Sequence, residues 1–201
     1  MLSPYRVLDL TDHRGEIGPM LLGDLGADVI RVETPEGSAA RRRGPVLDGA
    51  PADLSSLQFI AFNRNKRSIA LDPEAAADCE ALHDLVRSAD FVFEASPNRP
   101  LARYGIDFEE LRQLNSRLVY VRLSPFGDSG PYSGYQADDL VIAAMGGPVS
   151  LQGFSGRPPL RVSTPQVWRH AGVESAAAAL AAHARMQKTG SAQFVDLARN
   201  R

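Results

Sequence analysis

Cysteine is almost missing from this 201-residue chain, where Cys79 stands alone. A single thiol excludes an internal disulfide framework and a multi-cysteine metal site. No apolar run reaches the roughly 20 residues that span a bilayer. Met1–Asp9 also lacks the charge-then-apolar layout of a secretory signal. A cytoplasmic protein with no membrane partner is expected. Net charge is scarce too: 22 Lys and Arg stand against 24 Asp and Glu, a formal −2. General nucleic-acid binding needs a concentrated basic surface, so no nucleic-acid partner is expected and any basic site must be local. His13, His83, His170 and His183 show no zinc-type spacing with one another or with Cys79, so no metal is expected.

Common nucleotide and hydrolase signatures are also lacking. Gly15 and Gly18 follow the first apolar run, but "RGEIG" is not the dinucleotide fingerprint. No glycine-rich loop ends in Lys-Ser or Lys-Thr, which argues against a phosphate-binding P-loop. "GFSGR" (Gly153–Arg157) has no strand-to-helix setting and does not read as a nucleophile elbow.

What is present is a regular alternation. Hydrophobic residues make up 44% and charged residues 23%, ordinary for a globular domain able to bury a core. Strands are expected at Tyr5–Leu10, Ala27–Glu33, Arg67–Asp72, Ala89–Ala95, Arg117–Leu123 and Gln193–Ala198. Helical stretches lie between them at Pro19–Gly26, after an Asp72 cap with Pro73 opening the helix, and at Asp107–Leu114. Short apolar strands with helical crossovers imply an α/β fold, a parallel sheet with helices on both faces. Loops Thr34–Ser56 and Ser124–Gln136 follow strands and can line the crevice beyond their carboxyl ends.

Two basic clusters and one helix start carry chemical interest. "RRR" (Arg41–Arg43) sits in a loop and is most simply a solvated face. "NRNKRS" (Asn63–Ser68) sets three cations and two amides before a strand, where they could grip a phosphorylated ligand. In "LRVSTPQVWRHAGVESAAAAL", Thr164 reads as an N-cap and Pro165 as the first helical residue. Trp168, Arg169 and His170 then occupy a helix start whose unpaired amides suit an anion.

The blocks "VLDL…LLGDLGADVIRVETPEG", "FIAFNRNKRSIALD", "RYGIDFEELRQLNSRLVYVRLSPFGDSGPY", "PLRV..P" and "TGSAQFVDLA" resemble the class III CoA-transferases. That family includes formyl-CoA and carnitine CoA-transferases and α-methylacyl-CoA racemases. The resemblance covers nearly all of residues 1–201 and implies the family's N-terminal Rossmann-like domain, with the smaller domain absent. It implies coenzyme A as the acyl-CoA substrate, a carboxylic acid as acceptor, and a homodimer or heteromer that completes the fold. Family chemistry starts with an aspartate attacking the thioester, in a pattern like P-x-x-D-x-x-A-G. Here that pattern runs Pro165 to Gly172 and puts Trp168 at the aspartate position. The resemblance therefore implies a CoA-transferase whose nucleophile is replaced. The alternatives are a non-catalytic CoA-binding or scaffold subunit of a two-part transferase, and an acyl-CoA isomerase using His170, Asp138 or Glu174. Contacts to CoA are expected from Arg31, the Arg41–Arg43 loop (Arg42 included), Asn65, Lys66, Arg67 and Arg103. The first loop reads "DHRGEIGP" where the family carries alanine-glycine-proline, and Ala95-Ser96 replaces an Asn-Phe pair. Asp139 matches a recurrent aspartate, and Asp138 stands where the racemases have His. N-capping of the next helix is the plain reading of both.

Overall fold

The computed structural model describes residues 1–51, 53–95 and 101–199. Six parallel strands form one sheet: β1 (Arg6–Leu10), β2 (Asp28–Glu33), β3 (Lys66–Ala70), β4 (Phe91–Glu94), β5 (Val119–Ser124) and β6 (Gln193–Ala198). Their spatial order is β3-β2-β1-β4-β5-β6. This is the doubly wound arrangement, and the order reverses between β1 and β4, which opens a crevice at the carboxyl ends of those strands. The α/β expectation and the six expected strands are met. β4 and β5 are buried at every position, as near-continuous apolar runs in a parallel sheet covered on both faces should be.

Alternate side chains feed two cores. Val7, Phe91, Phe93, Val119 and Val121 pack on one face with Leu22 of α1 (Ile17–Asp24) and Ala171, Ala179 and Met186 of α6 (Val167–Thr189). Leu8, Val92 and Tyr120 pack on the other with Leu82 and Val86 of α3 (Ala76–Arg87) and Leu111 of α4 (Phe108–Leu114). Two shorter helices, α2 (Leu57–Phe62) and α5 (Asp139–Met145), lie in the loops above the sheet ends.

Two helix starts differ from expectation. Asp72 and Pro73 do not open α3. Asp72 instead accepts from the Glu74 amide at 2.9 Å, a local turn that competes with the helix, and the helix begins at Ala76. Likewise Thr164 and Pro165 stay outside α6, whose cap residue is Gln166. The short helix expected at Asp107–Leu114 is present, and Asp107 caps it, accepting from the Glu110 amide at 3.1 Å.

Candidate ligand-binding cleft

A cavity of about 960 Å³ occupies the crevice. Asp12, His13 and Arg14 reach it from the loop after β1, Ser124 and Asp128 from the end of β5, and Trp168 and Arg169 from the start of α6. Its floor includes Arg122, fixed between Glu94 at 2.7 Å and Asp128 at 2.6 Å. Tyr120 donates to the same Glu94 oxygen at 2.5 Å.

The start of α6 is already supplied with a carboxylate. Asp139 accepts from the amides of Gln166 (3.1 Å), Val167 (2.8 Å) and Trp168 (3.3 Å). It thereby satisfies donors that any helix leaves unpaired at its beginning. Asp138 caps α5 instead, accepting from the Val141 amide at 2.9 Å. Both aspartates are caps, but Asp139 serves the distant helix and not its own.

Trp168 itself is 5% exposed and belongs to the α1–α6 core. Its indole lies 5.7 Å from the Arg14 guanidinium. Arg14 is held from behind by Asp12, with Nη2 to Oδ2 at 2.5 Å. An indole offers one N–H and no nucleophile. His170 is exposed and is not among the residues that line the cavity. Glu174 pairs with Arg199.

Of the residues expected to grip phosphate, Lys66 and Arg31 are engaged inside the fold. Lys66, whose side chain is 1% exposed, donates to Asp9 (2.7 Å), the Glu16 carbonyl (2.8 Å) and Asn63 Oδ1 (2.9 Å). Those three bonds use every donor of its ammonium. Arg31 is 2% exposed and bonds Asp9, Asn63, Ser38 and the Thr11 carbonyl. Burial alone would raise the Asp9 carboxyl, but Lys66 and Arg31 outweigh it and hold it below the usual range. Glu16 goes the other way, pushed up by burial against the pull of Arg31 and Asn63. Asn65 bonds Asp24 and Arg67 bonds Asp28, at the amino end of β2 and away from the crevice. Arg42 and Arg103 remain at the surface, bonding the Glu36 carbonyl and Glu74.

A second cavity, about 270 Å³, is lined by Leu71, Pro73, Leu82, Leu101 and the Gly37–Ala39 turn. Asp12 lines both cavities, so the two share a wall after β1. Sequence reading missed His13 and Arg14 as lining residues, while Arg43, part of the expected Arg41–Arg43 loop, does line the larger cavity. The one available signal was the departure of "DHRGEIGP" from the resembled pattern. Burial holds the His13 imidazole below its ordinary value, against the pull of Asp12, so the ring is neutral at neutral pH. Ser96 lies outside the described residues, while Ala95 is 1% exposed and packed close to Gly15. Among the described residues no group of His, Cys, Asp and Glu is arranged to hold a metal, and no helix is long and apolar enough to cross a membrane.

A doubly wound parallel sheet with a two-part cleft at its switch point defines an α/β protein of the Rossmann-like class. Residues 2–200 match the family model of CoA-transferase family III, and the chain belongs to that family. It is 37% identical over 196 residues to the succinyl-CoA:(R)-benzylsuccinate CoA-transferase subunit BbsE of Thauera aromatica, covering 98% of this chain and 48% of that protein. It is 36% identical to a succinate–glutarate CoA-transferase of Agrobacterium fabrum, covering 98% of this chain and 50% of that one. A crystal structure of a CAIB/BAIF family protein from Brucella suis superposes with a TM-score of 0.92 at 35% identity, covering 98% of this chain and 53% of that one. The chain thus spans about half the length of these relatives.

Proposed function

We propose that this chain is the CoA-binding half of a CoA-transferase assembly, and that the nucleophilic aspartate comes from another chain. It would present an acyl-CoA for transfer of CoA to a carboxylic acid, in the cytoplasm, as part of a homodimer or heteromer. The observation that carries this reading is Trp168. A buried indole under Arg14 stands where the resemblance calls for a carboxylate, beside a cavity of about 960 Å³. The relative that is named as a subunit of its transferase supports a division of labour between chains.

In this reading the adenosine end of CoA lies in the smaller cavity, against Leu71, Leu82 and Leu101. Arg42 ends the 3₁₀ turn that begins at the lining residue Ala39, and Arg103 lies two residues past Leu101. Both would leave exposed partners, Glu36 and Glu74, to reach the phosphates. The chain of CoA then passes Asp12 into the larger cavity and brings the thioester to Trp168. The isomerase alternative gains no support from the geometry. His170 faces solvent, Glu174 is paired with Arg199, and Asp138 is a helix cap.

Intact-mass analysis after incubation with a short acyl-CoA tests the missing nucleophile. The expected spectrum contains only unmodified chain, even at acyl-CoA concentrations where calorimetry registers binding. An acyl or CoA adduct on a carboxylate of this chain would overturn the reading.

A further inference from the structure

We infer that His13 makes the larger cavity a general-base site for water, so that this chain by itself hydrolyses a thioester bound there. This activity goes beyond the CoA-transferase reading and rests on it only for the identity of the thioester.

The loop after β1 presents His13 to the cavity. Asp12 closes a turn around it, its carboxylate accepting from the Arg14 amide at 2.9 Å and its carbonyl from the Gly15 amide at 3.1 Å. His13 is the first residue inside that turn, and it lines the larger cavity together with Trp168. Arg14, the next residue, lies 5.7 Å from the Trp168 ring, so the turn is seated against the start of α6. The imidazole makes no hydrogen bond or ion pair among the described residues. Burial, helped by Arg43 and Arg14 against the pull of Asp12, keeps it unprotonated at neutral pH.

The carboxylates on the same wall are committed elsewhere. Asp12 holds Arg14, Asp128 holds Arg122, Asp139 takes the α6 amides and Asp138 caps α5. His13 is left with a free lone pair. Transfer of CoA to a carboxylate gives such a base nothing to do, because a carboxylate attacks without losing a proton. Water does lose one. The exposed residues Ser133 and Tyr135 form one side of the cavity, so water has access to it.

In the reaction, the imidazole takes a proton from a water molecule as the water oxygen bonds to the thioester carbonyl carbon. The charge that develops on the carbonyl oxygen is countered by Arg14 and Arg43, the two cations that face the imidazole. The C–S bond then breaks, and the imidazolium returns the proton to the departing sulfur. A carboxylic acid and a thiol leave. No group stays on the protein, in keeping with a site where Trp168 stands in place of a carboxylate.

Thiol release from acetyl-CoA and from the acetyl thioester of N-acetylcysteamine tests this on the purified chain. No acceptor acid is added, and a protein-only blank accounts for Cys79. Release should exceed the buffer rate and yield acid and thiol in equal amounts. kcat/KM should be level near neutral pH and fall on the acid side of the ordinary imidazole value. His13→Gln should lose about a hundredfold, while His83→Gln, on α3 and outside the cavity, should keep the rate. No release above buffer, an unchanged rate in folded His13→Gln, or a profile without an acid limb would overturn the inference. The profile is read on the native chain, so it decides even where His13→Gln does not fold. Calorimetric binding of acetyl-CoA without thiol release would overturn the inference and leave the CoA reading standing. Equal turnover of the two thioesters would support it and count against the CoA reading.

Discussion

At the scale of single residues, the start of α6 is governed by Asp139. Its carboxylate takes three backbone amides from a helix 27 residues further along the chain. Removing an N-cap typically costs about 1–2 kcal/mol. Asp139→Ala should therefore lower stability by about that amount in urea unfolding and loosen the first turn that carries Trp168. Asp138→Ala removes one bond at an exposed cap and should cost less. Equal losses would mean that the α6 amides do not depend on Asp139. Sequence reading found both aspartates and gave them caps, because Asp before an apolar run is a local signal. It could not show that Asp139 reaches α6, since that pairing is made by the tertiary fold. Lys66 teaches the same lesson in reverse. A lysine before a strand looks like a surface cation in one dimension, and only the positions of Asp9, Glu16 and Asn63 reveal a buried one.

At the scale of elements, α1 and α6 meet at two glycines. A Cβ on Gly172 would sit 2.7 Å from Ile17 Cβ, and one on Gly18 would sit 2.2 Å from Ser175 Oγ. In an unencumbered helix, Gly to Ala would stabilise by roughly 0.5–1 kcal/mol. Gly172→Ala should instead cost about 1–3 kcal/mol through overpacking and shift the Trp168 emission as α6 moves off α1. A stabilised variant with unchanged emission would contradict the close approach. The inner strands β1, β2, β4 and β5 were legible as short apolar runs in a sheet covered on both faces, whereas the edge strands β3 and β6 are more exposed. Helix starts were less so. Asp72-Pro73 and Thr164-Pro165 carry good start chemistry, yet the chain uses both pairs for turns leading into helices that begin at Ala76 and Val167. Helix α2, only six residues long, gave no periodic signal to read.

At the scale of the whole molecule, charge is buried at the junction of β1, β2 and β3, and this sets the acid response. Glu33 accepts from Arg41, Ser68 and the Ser38 amide, which outweigh the upward push of burial and bring its carboxyl from 4.5 down to about 2. A depressed carboxyl stabilises the fold above its unfolded value and loses that contribution as pH falls through the folded one. The urea midpoint should thus decline between about pH 4.5 and 2, and Asp9 shifts in the same direction. Glu33→Gln should be less stable than the native chain at pH 6 and lose less on acidification. Parallel declines for both proteins would remove Glu33 from the account. The sheet class and the family were readable from the ordered blocks of sequence. The cleft was not, because its lining comes from five separated segments whose meeting is a property of the topology.

The central claim is that this chain holds coenzyme A in a formed cleft without carrying the nucleophile. Calorimetric titration of free CoA into the 201-residue chain tests it most directly. The account predicts saturable binding at one site per chain, abolished by Leu71→Arg in the smaller cavity and retained in Trp168→Phe. A folded chain that takes up no CoA would contradict it.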